Sequence, residues 1–334
     1  NLFSPRVNDV QYFVENYKDK FYIITDEDAR NFKLMETSVN STSRENWKEI
    51  LPHRKDAKID NMAVFKDHFV LYERVNGLRQ IRISDHSIDK HFYVEFPEEV
   101  YTFYPSGNPD FNTTTLRFTY TSLITPNTVY DYDMNNKSFE LKKQDAVLGG
   151  YNAEEYVTYR LNAPANDGTL IPVSIVYKKE IEKNGDNPLF LYAYGSYGSS
   201  SEPTFSSIRL SLLDRGFIYA IAHIRGGGEM GRHWYDDGKL LNKMNTFTDF
   251  INAAEFLIKE NYTNNENLVI SGGSAGGLLM GAVINLRPEL FKFVIAKVPF
   301  VDVINTMLDE TIPLTVTEFE EWGNPKIKEY YDYM

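Results

Sequence analysis

The 334 residues are 42% hydrophobic and 25% charged with a mean hydropathy of −0.41, the profile of a globular chain long enough for two cores. A formal charge of −12 argues against nucleic acid as the main partner, because phosphate binding wants a basic face. There is no cysteine, which removes disulfides and thiolate metal sites, and no run approaches the ~18 apolar residues of a membrane helix. The missing cysteine also fits a reducing compartment, and the cytoplasm is the expected location. The acidic field would attract cationic substrates or serve solubility alone. The opening Asn-Leu-Phe-Ser-Pro has neither a starting methionine nor a basic-then-apolar leader, so the chain is expected to be part of a longer protein.

Residues 1–145 read as strands punctuated by turns. Phe21–Thr25, Phe69–Glu73 and Leu116–Tyr120 are apolar, β-branched and aromatic, and their starts lie 48 and 47 residues apart. A polar turn and a second strand-like run follow each of them, as at Phe32–Glu36 and, past the Asn76-Gly77 turn, Leu78–Ile83. That period is the length of a four-stranded propeller blade, and the expectation is a partial β-propeller of three blades. Unrelated hairpins are the alternative.

Residues 146–334 change grammar. Tyr156–Arg160 and Ile171–Tyr177 flank the turn residues Asn166-Asp167-Gly168 and predict a hairpin. Apolar strands then alternate with helical patterns. Leu189–Ala193, Gly216–Ala222, Leu268–Ser271 and Phe291–Ala296 are strands. Thr246–Lys259 and Gly276–Leu286 are helices, the first with Phe247, Phe250, Ile251, Ala254, Leu257 and Ile258 on one face. This alternation predicts a mostly parallel, doubly wound α/β sheet.

Between the third of these strands and its helix stands Gly272-Gly273-Ser274-Ala275-Gly276, a G-x-S-x-G turn in the context the motif requires. The turn strains the serine and lifts its hydroxyl to the carboxyl edge of the sheet. Gly272 and Gly276 let backbone pass closely, and the Ala275 N–H opens the helix where it can face a developing oxyanion. Ser274 is therefore the candidate nucleophile of an α/β-hydrolase domain. A glycine-rich turn that only packs helix on strand, or holds a phosphate, is the alternative. A serine needs a base, and in this fold the order is serine, acid, histidine. All six histidines (His53, His68, His86, His91, His223 and His233) precede Ser274. His223 and His233 are expected in surface or loop roles, and Asp302 is the best acid after the serine. The chain is expected to stop short of its triad acid and histidine.

Ile270–Met280, Ile224-Arg-Gly-Gly-Gly-Glu229 and Tyr192-Ala-Tyr-Gly-Ser-Tyr-Gly198 resemble the prolyl oligopeptidase family of serine peptidases. Val298–Asp302 and Thr317–Pro325 resemble its oligopeptidase B branch. The resemblance implies a propeller joined to an α/β-hydrolase domain, cleavage of short peptides through an acyl-enzyme, and no cofactor or metal. It implies Ser274 as nucleophile, with an oxyanion hole made of the Ala275 N–H and the Tyr194 hydroxyl. Five acids and no bases occupy 309–321. The resemblance makes Glu318 and Glu320 the pair that receives an Arg or Lys side chain before the scissile bond, with Tyr197 in the pocket wall. A solvated acidic loop is the bland alternative for that run. Competing functions are a prolyl-specific oligopeptidase, a non-catalytic interaction module, and a lipase or esterase. The expected partner is a short peptide with a basic residue before the cut, with no nucleic acid and no membrane.

Overall fold

The computed structural model describes residues 2–334 as two compact units. The first holds the residues through Thr121, with Asn127–Ala146 and Met230–Arg232. It contains three antiparallel sheets, each of four consecutive strands. The first is β1 (Tyr12–Tyr17), β2 (Lys20–Thr25), β3 (Lys33–Ser38) and β4 (Lys48–Leu51). The second is β5 (Ala57–Val64), β6 (Phe69–Val75), β7 (Leu78–Ser84) and β8 (His91–Tyr93). The third is β9 (Tyr101–Pro105), β10 (Thr115–Ser122), β11 (Thr128–Asp133) and β12 (Ser138–Gln144). The three apolar runs of the 48- and 47-residue spacing are β2, β6 and β10, the second strand of each sheet, as blade repetition demands.

Local chemistry fixes the register of each blade. Asn76 and Gly77 both take positive φ (49° and 79°), the geometry that joins β6 to β7 in a two-residue hairpin with Val75 opposite Leu78. Tyr22, Ile24 and Leu34 of the first sheet share a core with Ile59, Met62, Phe69 and Leu71 of the second. Val70, Tyr72 and Ile81 of the second pack with Phe103, Leu116 and Phe118 of the third. Each sheet thus buries a face against its neighbour, which a lone hairpin could not do.

The second unit is built on a six-stranded sheet in the order β13-β14-β16-β15-β17-β18. Its strands are β13 (Tyr156–Pro164), β14 (Leu170–Lys178), β15 (Leu189–Tyr192), β16 (Ile218–Ala222), β17 (Leu268–Gly273) and β18 (Phe293–Lys297). The β13–β14 hairpin is antiparallel and joins β16 antiparallel, whereas β16, β15, β17 and β18 run parallel. The helices are α1 (Ser207–Leu213), α2 (Arg232–Asp236), α3 (Met244–Lys259), α4 (Ala275–Leu286), α5 (Val303–Leu308), α6 (Thr315–Trp322) and α7 (Lys328–Tyr333). The face of α3 legible from its periodicity is the one that packs. Phe250, Ile251, Ala254 and Leu257 are buried in the sheet core, with Phe247 and Ile258 against it. Leu279, Met280 and Val283 bring α4 into the same core.

One buried ion pair ties the loop after β16 to α3. Arg225 donates from Nε and Nη2 to the two oxygens of Asp249 at 2.8 and 2.6 Å, and its backbone N–H adds a third bond at 3.0 Å. Its Nη1 reaches Asp167 in the β13–β14 turn at 2.7 Å. The Asp249 side chain is fully buried. The other tight constraint is the turn from β17 to α4. Ser274 is held at φ 56°, ψ −118°, a region that costs a non-glycine residue about 1–3 kcal/mol. Gly272 is required beside it, since a Cβ there would lie 2.1 Å from the Gly276 carbonyl oxygen.

Among the described residues no helix is long and apolar enough to cross a membrane, and no group of three metal-ligating side chains occurs. Two stability outcomes follow from this geometry. Asp249→Ala leaves Arg225 Nε and Nη2 without acceptors, with Asp167 at Nη1 the remaining partner, and should cost about 3 kcal/mol in urea unfolding. Ser274→Gly relieves the strained turn and should raise stability by about 1 kcal/mol in the same measurement, whereas Ser274→Ala should leave it nearly unchanged.

Candidate active site

The β17–α4 turn leaves the Ser274 side chain exposed while Gly272, Ala275 and Gly276 around it are buried. Its backbone is pinned from three directions. The Ser274 N–H donates to the Lys297 carbonyl at 2.9 Å, and its own carbonyl accepts from Gly277 and Phe300 at 2.8 and 3.1 Å. Ala275 is the first residue of α4, so its N–H has no carbonyl partner within the helix and is available to an outside acceptor. The Tyr194 ring lies beside the turn, within 3.4 Å of where a Cβ on Gly276 would fall, and its hydroxyl is near enough to Ser274 for the two to influence each other. Burial raises the Tyr194 phenol above its ordinary range, the neighbouring Ser274 hydroxyl opposes this, and Glu321 and Glu318 add to the rise. Tyr194 therefore stays a hydrogen-bond donor at neutral pH.

Ser274, Tyr197 and Glu318 line one cleft of about 300 Å³. Its walls are largely apolar, with Val298, Pro299, Phe300, Met307 and Leu314. Glu318 is half-buried, and its Oε2 accepts from the Tyr197 hydroxyl at 2.6 Å and from Trp322 Nε1 at 3.0 Å. No described lysine, arginine or histidine pairs with it. Burial and Glu318 together push the Tyr197 phenol far up, so it too remains a donor.

Glu318 and Glu320, the expected pair, leave the helix in different directions. Both lie on α6, and residues two apart on a helix point about 200° apart. Glu320 is exposed on the outer face and does not line the cleft. The acid that shares the inner side with Glu318 is Glu321, three residues on. It is buried, and its Oε1 accepts from the Tyr197 backbone N–H at 3.1 Å.

Lys243 meets the same carboxylate oxygen at 3.4 Å. Its Nζ also donates to the Gly195 carbonyl at 2.7 Å and to Ser196 Oγ at 2.6 Å. Burial lowers the Lys243 ammonium to about 8 although Glu321 pulls the other way. Neither Glu321 nor Lys243 emerged from the sequence alone. The three-residue helical spacing of Glu318 and Glu321 was a usable signal, but Lys243 is 78 residues from its carboxylate.

The structure also places two other residues singled out in the sequence. His223 does sit in the loop directly after β16, but it is buried rather than on the surface. Its Nε2 lies 2.7 Å from Ser174 Oγ and its Nδ1 3.5 Å from Glu229, and Glu229 in turn accepts from the Ser201 N–H at 2.7 Å. Asp302 is exposed, and its Oδ1 accepts from Asn305 Nδ2 at 2.8 Å at the head of α5. The glycine-rich loop after β16 packs against the Tyr194–Gly198 segment. The Gly198 N–H donates to the Gly226 carbonyl at 3.0 Å, and a Cβ on Gly226 would fall 2.1 Å from the Gly195 oxygen.

Comparison with known proteins agrees with this geometry. Residues 203–334 match the domain described as prolyl oligopeptidase family, and residues 1–145 match the prolyl oligopeptidase N-terminal beta-propeller domain. The chain is 49% identical over its whole length to dipeptidyl aminopeptidase BI of Pseudoxanthomonas mexicana, covering 46% of that protein. It is 40% identical to protease 2 of Moraxella lacunata, covering all of this chain and 48% of that one. Oligopeptidase B from Trypanosoma brucei, solved in a closed form with covalently bound antipain, superimposes with a TM-score of 0.92 at 42% identity, over 99% of this chain and 48% of that one. The chain thus spans about half the length of the curated relatives it matches. With a propeller-type unit and an α/β-hydrolase unit each matched in its own right, the chain belongs to the prolyl oligopeptidase family.

Proposed function

We propose that this chain carries the nucleophile, oxyanion donors and specificity carboxylate of a serine endopeptidase that cuts short peptides after Arg or Lys. The observation that carries the reading is Glu318. It is a half-buried carboxylate in the same cleft as Ser274, bound by two neutral donors and by no cation of the described chain. Its Oε1 accepts no bond there. An incoming guanidinium or ammonium would supply the missing charge, while the apolar walls would take the methylene stem. A neutral side chain would leave the carboxylate desolvated and unpaired, at a cost of about 2–5 kcal/mol.

In this reading Ser274 Oγ attacks the carbonyl carbon of the basic residue, and the new oxyanion accepts from the Ala275 N–H and the Tyr194 hydroxyl. Collapse breaks the C–N bond. The amine leaves with a proton, the acyl group stays on Ser274 as an ester, and water then hydrolyses that ester. The hydroxyl proton needs a base. No histidine lines the Ser274 cleft and none follows Ser274 in sequence. The base and its orienting acid are therefore assigned to the part of the relatives' length that this chain does not span. The covalent antipain in the Trypanosoma brucei relative supports a covalent route for the family fold.

The experiment is a panel of fluorogenic peptides offered to the complete protein, with Arg, Lys, Pro and Leu before the cut and with free or blocked N-termini. Cleavage after Arg and Lys in blocked peptides is expected. Cleavage after Pro alone would overturn the specificity. Release of dipeptides from free N-termini only, the mode named for the Pseudoxanthomonas relative, would overturn the endopeptidase reading. Glu318→Gln should lower kcat/KM for Arg peptides about 30-fold, worth ~2 kcal/mol, while Glu320→Gln should change it less than about twofold. Equal losses in the two variants would show that the cleft does not take the basic side chain. Ser274→Ala should abolish turnover. The 334-residue chain alone should hydrolyse none of the panel, and robust turnover by it would place the base within these residues.

A further inference from the structure

Tyr194, Gly195, Ser196, Tyr197 and Gly198 form the short segment that follows β15. Three of the five are at positive φ, Gly195 at 71°, Tyr197 at 59° and Gly198 at 62°. Such a run is not held by its own backbone preferences, least of all with a tyrosine in it. Yet the segment carries the Tyr194 phenol beside the Ser274 turn and the Tyr197 phenol that donates to Glu318, so its shape decides where both donors point.

What holds it is an ammonium group. Lys243 lies at the N-terminal end of α3 and is almost wholly buried. Its Nζ takes the Gly195 carbonyl and Ser196 Oγ from the segment, and Glu321 Oε1 from α6. The same oxygen accepts the Tyr197 N–H, and the ammonium also lies 4.9 Å from the Trp322 ring centroid. The other Glu321 oxygen is buried without a partner. Burying two charges this deeply costs several kcal/mol per ion before pairing, and apolar residues of similar volume would often fill the space as stably. A buried ion pair at this place is better explained by the position it enforces than by stability.

We propose that Lys243 is a positioning residue for the peptidase reaction: together with Glu321 it fixes the Tyr194–Gly198 segment against α6, so that one buried ion pair aligns both the oxyanion donor at Tyr194 and the pocket wall at Tyr197. The inference rests on the reading given under the proposed function and adds a residue that touches neither substrate nor Ser274. A loosened segment would leave Ser274 and Glu318 in place while misaiming the phenols. The loss would therefore fall on the transition state more than on ground-state binding.

The test uses the complete protein with a blocked Arg peptide, a peptide argininal as a reversible transition-state analogue, and thermal unfolding. Lys243→Met should lower kcat about 100-fold with KM changed less than about threefold, and should weaken argininal binding by a similar factor. Glu321→Gln keeps the shape and an acceptor for the Tyr197 N–H, so it guards against a Lys243→Met protein that does not fold. It should lose about 10-fold in both kcat and argininal affinity. The double variant should be no worse than Lys243→Met, because both remove the same constraint. The inference is overturned if either folded variant keeps kcat and argininal affinity within about twofold of wild type while only its unfolding temperature drops. It is overturned equally if the double variant shows the product of the two single losses. Absence of Arg-peptide hydrolysis by the wild-type protein would remove the peptidase reading and this inference together, whereas an active wild type with unaffected variants would remove this inference alone.

Discussion

The β17–α4 turn forces a side chain into a conformation that L-residues avoid, and the close approaches around it leave no room to relax. The strain lifts the Ser274 hydroxyl clear of the sheet edge. It also turns the first N–H of α4 toward the same space, since Ala275 heads the helix. Gly272 has to be bare because the chain folds back on Gly276 there, and a Cβ on Gly277 would lie 2.5 Å from Pro299. A methyl group at any of these places would push the turn out of shape.

Around this fixed point the second unit distributes its work by element. The parallel strands β15 and β17 bring the Tyr194 segment and Ser274 out at the same edge of the sheet, because their registers are locked from Leu189 opposite Leu268 to Tyr192 opposite Ser271. Helix α3 supplies the two buried anchors nearby, Asp249 for the glycine-rich loop and Lys243 for the tyrosine segment. Helix α6 supplies the carboxylates. On the proposed function, the nucleophile is therefore positioned by the main chain of the sheet and the specificity carboxylate by a short helix.

Where periodicity governs, the sequence was a good guide. The spacing of apolar runs located all three four-stranded sheets, and the helical face of α3 was read residue by residue. The G-x-S-x-G turn was legible because its strand and helix are. What escaped was pairing across distance and across a helix. Glu318 and Glu320 look adjacent in a charge run, but the 3.6-residue period of α6 sends them to different sides and sets Glu321 on the side of Glu318. His223 reads as an idle histidine in a loop, and only the approach of Ser174 from β14 and Glu229 from the next loop reveals its buried setting. Lys243 gave no local signal at all, since a lysine at a helix start is ordinarily solvated.

The three glutamates of α6 leave the helix in different directions. Glu318 faces the cleft, Glu321 faces the tyrosine segment, and Glu320 faces outward. On the proposed function, this makes substrate preference a nearly free variable in evolutionary terms. A lineage could exchange residue 318 for a neutral or apolar side chain and acquire a different diet of peptides, while the ion pair beneath it kept the machinery for breaking the bond intact. A helix only two turns long is sufficient to keep those two inheritances apart.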